Sequence, residues 1–155
     1  MFSETKTSTE FGLTCSFSVG NSWIIKKTDN GEIIPVKFEE NSTLSYNSSL
    51  HTKDNSLCEL INNSFLIRLG ANSIFEFNEL NEFSLLRGSM LLYSLGTSDI
   101  IIESEQSSLN VSGKFTAIID HTSNGGFKFI PLEGKGSIIP QNGEPKDIYR
   151  GRLTM

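Results

Sequence analysis

Between Asn55 and Glu82 a small polar pair recurs directly ahead of an apolar run: Asn55-Ser56-Leu57, Asn63-Ser64-Phe65, Asn72-Ser73-Ile74 and Asn81-Glu82-Phe83, spaced by eight, nine and nine residues. Asn and Ser tolerate turn geometry. The runs between them suit a strand and are too short for a helix of ordinary length. The spacing therefore implies a stack of short β-strands. Alternation of period two sharpens this, because successive side chains of a strand point to opposite faces. Phe65, Ile67 and Leu69 are expected in the core, with Leu66 and Arg68 facing the other way. In the preceding run Cys58 and Leu60 share one face, and Leu57, Glu59 and Ile61 the other.

Carried along the chain, the same reading places strands at 15–19, 23–27, 32–38, 43–46, 57–61, 65–69, 75–78, 83–86, 89–95, 100–103, 109–111, 115–120, 127–130, 136–139 and 147–149. No helical periodicity competes. Asp29-Asn30-Gly31, Asn62-Asn63 and Asn124-Gly125-Gly126 read as hairpin turns, since Asn and Gly reach positive φ. The fold class is all-β: a rolled β-sandwich, jelly-roll-like or a β-roll stack of many short strands, in which successive strands also cross between two sheets. Residues 1–12 form a polar, disordered lead-in. One β domain spans 13–150, and 151–155 is a tail.

A chain of 155 residues buries roughly 68–70% of its unfolded surface, enough for one real core. Eleven Phe against three Tyr and one Trp point to an aromatic core. The net charge is −5 and the Lys and Arg residues are scattered, so neither nucleic acid nor an anionic membrane is expected as a partner. Cys15 and Cys58 lack any CxxC spacing, which excludes a zinc ribbon and leaves a disulfide or two buried thiols, the thiols being the expected state. The N-terminal stretch has neither a basic region nor an apolar run suited to a signal peptide or a membrane span.

Residues that could carry chemistry are few. His51 and His121 have no His or Cys at metal-ligand spacing and read as solvated edge histidines, with no metal and no cofactor expected. Asp120 and His121 are adjacent on a strand and point to opposite faces, which spoils a catalytic triad. Glu39-Glu40, and Glu103 with Glu105, are carboxylate pairs of the kind a glycosidase uses, though paired acids at strand ends more often serve solvation. Gly113-Lys114 and Gly134-Lys135-Gly136 read as turns, without the context of a phosphate loop. Lys26-Lys27 and Arg150-Gly151-Arg152 are short solvated basic spots. Trp23, Tyr46 and Tyr93 are the side chains that a carbohydrate-binding face would align.

The stretch from Asn47 to Phe77, followed by Ser84 to Gly96, resembles the FecR-type extracytoplasmic domain. A strand ending in Leu50-His51-Thr52 leads to Asn55-Ser56. Asn62-Asn63-Ser64 stands where the family has Asp-Gly-Ser, and Gly70 to Ser73 forms its Gly-x-Asn-Ser turn. Leu86-Arg87-Gly88-Ser89, Val111 to Phe115 (with Lys114 in place of Thr) and Leu132 to Gly136 resemble later family motifs, and Glu32 to Lys37 fits a Trp-x-Pro-Leu strand loosely. The resemblance covers roughly 16–139, all of it turn and core positions. It implies a non-catalytic domain that makes protein–protein contacts in envelope signalling of the sigma-factor-regulator type, or in envelope assembly, with a transporter or regulator as partner. Binding would use an edge strand or a loop-rich end, at residues still unknown. A regulator of that type carries a sigma-binding segment and a transmembrane helix before this domain, so an excised domain would be periplasmic or extracytoplasmic and a complete chain cytoplasmic. The alternative is a carbohydrate-binding or envelope-structural β-sandwich module, and the third reading is a small hydrolase.

Overall fold

Fourteen strands and no helix make up residues 12–27, 29–105, 107–140 and 146–148, which the computed structural model describes. In chain order β1 (Leu13–Val19), β2 (Ser22–Lys27), β3 (Ile33–Lys37), β4 (Thr43–Leu44) and β5 (Ser48–Thr52) come first. Next are β6 (Leu57–Ile61), β7 (Phe65–Leu69), β8 (Ile74–Glu79), β9 (Glu82–Arg87) and β10 (Ser89–Leu95). Then follow β11 (Ile100–Glu103), β12 (Ser108–His121), β13 (Phe127–Pro140) and β14 (Lys146–Ile148). They form one hydrogen-bonded sheet in the order β3-β2-β5-β8-β9-β11-β12-β10-β7-β6-β1-β4, with β13 between β12 and β14. Among the described residues only the β9–β11 pairing is parallel.

The sheet curls because β12 is shared. Ser108–Val111 of β12 pair with β11, Lys114–Asp120 pair with β10, and β13 runs along the opposite edge of nearly all of β12. From this fork two walls diverge, β11-β9-β8-β5-β2-β3 and β10-β7-β6-β1-β4, and close over one core as a half-barrel. Phe65 on β7 meets Phe83 on β9 across the gap, with ring centroids 5.5 Å apart. The core is aromatic as expected: Phe38, Phe65, Phe75, Phe77, Phe83, Phe115 and Phe129 are among the largest fully buried side chains. Phe65, Ile67 and Leu69 point inward from β7, and Cys58 and Leu60 from β6.

The recurring Asn-Ser pairs turn out to be joints. Asn55, Asn72 and Asn81 each have positive φ (54°, 53° and 62°), the left-handed conformation that Asn tolerates best after Gly. Four of the connections that carry the chain from one wall to the other, β1 to β2, β5 to β6, β7 to β8 and β9 to β10, form a row of corners. Each corner rests on the next. The Asn21 amide donates to Ser56 Oγ at 2.8 Å, Thr52 Oγ1 donates to the Gly70 carbonyl at 2.6 Å, and the Ser73 amide donates to Thr52 Oγ1 at 2.9 Å. The Ser89 amide donates to Ser73 Oγ at 3.2 Å, and the His121 amide donates to the Gly88 carbonyl at 2.9 Å. Ser56 and Ser73 are buried, so their hydroxyls serve backbone groups that water cannot reach.

Several expectations shift. The segments 109–111 and 115–120 are one strand, and 127–130 and 136–139 are another. The breaks in pattern fall where β12 changes partner, and Gly113-Lys114 and Gly134-Lys135-Gly136 are paired ladder positions, not turns. Gly113 and Gly134 take positive φ (105° and 89°), and a Cβ on either would meet the facing backbone at 2.5 Å and 2.4 Å, so only glycine lets the ribbon bend there. The strand β5 has only Leu50 as an apolar signal and escapes the periodicity, although the family resemblance marks it. The Asn62-Asn63 hairpin forms without positive φ, because Asn62 Oδ1 accepts the amides of Ser64 and Phe65. At the other two hairpins Gly31 and Gly125 supply the positive φ. The lead-in up to residue 11, Tyr149 and the tail lie outside the described residues.

Candidate functional site

At the ends of the strand order stand β3 in one wall and β4 in the other. All five residues of β3 are exposed, including Ile33 (67%), Ile34 (44%) and Val36 (39%). The opposite wall ends in β4, only two residues long. Among the described residues β3 pairs with β2 alone, from Trp23↔Lys37 to Lys27↔Ile33. Its outer backbone edge therefore carries donors and acceptors that a further strand could satisfy. Pro35 sits at the centre of that edge and brings no N–H. Lys26, Lys27 and Lys37 belong to these two strands, in a chain whose net charge is −5.

A second feature is a polar groove of about 630 Å³ beside β11 and the ends of β12 and β13, lined by Glu103, Ser104, Glu105, Ser108, Asn110 and Pro140 among others. Glu103 and Glu105 do not act as a pair here. Glu103 ends β11 opposite Ser84, and its carboxyl bonds that of Glu82 on β9, whereas Glu105 lies in the following turn and reaches His121 Nε2 at 2.9 Å. Burial, then the Glu103 charge and its hydrogen bond, push the Glu82 carboxyl above the ordinary carboxylate range. A backbone hydrogen bond, then the one from His121, hold Glu105 below it. No group of three His, Cys, Asp or Glu among the described residues is arranged to hold a metal ion.

Neither histidine is at an edge. His51 lies on β5 between β2 and β8, its Nε2 3.0 Å from Ser49 Oγ, and burial followed by the Lys53 charge lowers its pKa. The His121 side chain is 12% exposed, lies between β10 and β13, and packs edge-on to Phe127. The carboxylate beside it is Glu105, 16 residues away, and not its neighbour Asp120, which stands opposite Lys128 in the β12–β13 ladder. Nothing in the local sequence signals that contact. Trp23 and Tyr93 lie on the outer faces of different walls, and Tyr46 packs against Phe77 at 4.8 Å, so the three form no common platform. Glu39 and Glu40 are exposed after β3. The side chains of Lys26 and Lys27 and the residues 150–152 lie outside the described set.

Compared with known proteins, the chain matches no family model, no curated protein and no solved structure.

Proposed function

We propose that this chain is a non-catalytic β domain that holds an extended segment of a partner protein against β3. The observation that carries this reading is a strand exposed along its whole length, apolar at Ile33, Ile34 and Val36, and unpaired on its outer edge among the described residues. Strand addition draws affinity from backbone hydrogen bonds and specificity from alternate side chains. The partner segment would be aliphatic, to complement Ile33, Ile34 and Val36, with an acidic residue towards the exposed Lys37. A second copy is a poorer occupant, because antiparallel self-pairing about the strand centre sets Pro35 against Pro35 and removes both donors there. The resemblance to FecR-type domains supports placing the contact in envelope signalling or assembly, with a transporter or regulator as partner.

The test is a pull-down with immobilised fragments of envelope transporters and sigma-factor regulators, using the wild type and the double variant I33D/V36D. Both side chains are exposed, so the variant should keep its circular dichroism and thermal midpoint while losing capture of the partner at least tenfold. A glycan array giving a signal that Trp23→Ala abolishes, or turnover of ester or glycoside substrates, would refute the reading.

A further inference from the structure

Cys15 on β1 and Cys58 on β6 are both fully buried, and their Sγ atoms lie 3.7 Å apart as free thiols. The contact is built by a bulge. In the β1–β6 ladder Cys15 faces Leu60 and Ser18 faces Cys58, a diagonal arrangement, and the register slips between Cys15 and Phe17, which brings the two side chains together in the core. We propose that Cys15 and Cys58 are a redox pair that a disulfide donor, either glutathione disulfide or a protein disulfide, converts into a cross-strand disulfide clamping β1 to β6.

The step balances as two exchanges. The Cys15 thiol gives up its proton and its thiolate attacks one sulfur of the donor disulfide, releasing the other as a thiolate. The Cys58 thiolate then attacks Cys15 Sγ in the mixed disulfide and releases the second donor thiolate. Two protein thiols are oxidised, and one donor disulfide is reduced to two thiols. Cys15 is the group able to begin. Burial first, and the adjacent Cys15 next, push the Cys58 thiol up to about 12, with the hydroxyls of Ser18 and Ser22 offsetting little. Cys15 is raised by burial as well, but it sits next to the short edge strand β4, which pairs with β1 at Leu13 and Thr14, and the backbone of Cys15 bonds to Asn41 and Ser42 in the turn before it. Opening of that edge, or passage through the unfolded chain, admits the donor.

The consequence is mechanical. A bridge across 43 positions of sequence encloses β2, β3, β4 and β5, and so fixes the base of the exposed hairpin. This inference stands independently of the role proposed for β3.

The experiment refolds the full reduced chain with a mixture of oxidised and reduced glutathione, and in parallel with excess reductant. Each sample is then denatured, alkylated with N-ethylmaleimide and weighed intact. The expected result is a species about 2 Da lighter than the reduced chain with no alkyl adduct, melting about 10 °C above the reduced form. C15A and C58A should each take one adduct and lose the dependence of melting on redox buffer. Two adducts per wild-type chain, a mixed glutathione adduct that never resolves, or a disulfide form that melts below the reduced protein would each overturn the proposal. The wild-type comparison needs no substitution, so it decides the matter even where an alanine variant fails to fold.

Discussion

Gly88 and Ser73 are where two corners touch, and their coupling can be calculated and measured. A Cβ on Gly88 would fall 2.0 Å from Ser73 Oγ, 2.7 Å from its Cβ and 2.8 Å from its Cα, in a backbone conformation with φ of +86°. Forcing an L-residue into that conformation costs about 1–2 kcal/mol, and overpacking a closed site adds roughly 1–3 kcal/mol. Gly88→Ala should therefore destabilise the fold by about 2–5 kcal/mol. Ser73→Gly removes the hydroxyl that accepts from the Ser89 amide and adds chain entropy, for roughly 2–3 kcal/mol. In the double variant the contacts with Oγ and Cβ are gone, and the 2.8 Å approach to the Cα of residue 73, the φ cost, the lost hydrogen bond and the added chain entropy remain. The double should be about 1–3 kcal/mol more stable than the sum of the singles predicts. Urea unfolding of all four proteins, with slopes checked for two-state behaviour, gives the cycle directly. Additivity within about 0.5 kcal/mol would show that the corners do not stack, and the account of the Asn-Ser repeats would fail with it.

Two further outcomes follow from the core and from the acids. Phe83→Ala should cost about 3–5 kcal/mol in urea unfolding, since the ring is fully buried and contacts both Phe65 and Phe75; a loss under 1 kcal/mol would mean that the two walls are not packed together. Glu82 and Glu59 should respond to pH with opposite signs. The fold raises the Glu82 carboxyl, so stability is lost as pH climbs through that raised range, and Glu82→Gln should raise the unfolding midpoint at pH 7 and leave it unchanged at pH 3. The fold lowers Glu59, mainly through its hydrogen bond from Arg68, so that contribution is present above pH 4.5 and disappears as pH falls through the lowered value. Glu59→Gln should lower the midpoint at pH 7, by an amount that shrinks towards pH 2.

The all-β class and the core side of β6 and β7 could be read directly, because alternation of period two survives wherever one face of a strand is dry. The Asn-Ser beat marked the joints for a local reason, the tolerance of Asn for positive φ at Asn55, Asn72 and Asn81. Which joint rests on which was not readable, since Ser56 answers to Asn21 and Ser73 to Thr52 and Ser89. The continuity of β12 and β13 was hidden for another reason: glycine inside a long ribbon gives the same signal as glycine in a turn. At the rim, Ile33, Ile34 and Val36 look like core residues by composition, yet they lie on a terminal strand of the sheet and are exposed. His121 and Glu105 meet through topology alone.

The fork at β12 makes the half-barrel a book bound along one side. Its covers share the β12–β13 ribbon as a spine, so neither can swing there without tearing hydrogen bonds that belong to both. The fore-edge carries β3 and β4, with Cys15 one strand in. The strand addition and the oxidation proposed for this molecule both fall on that side.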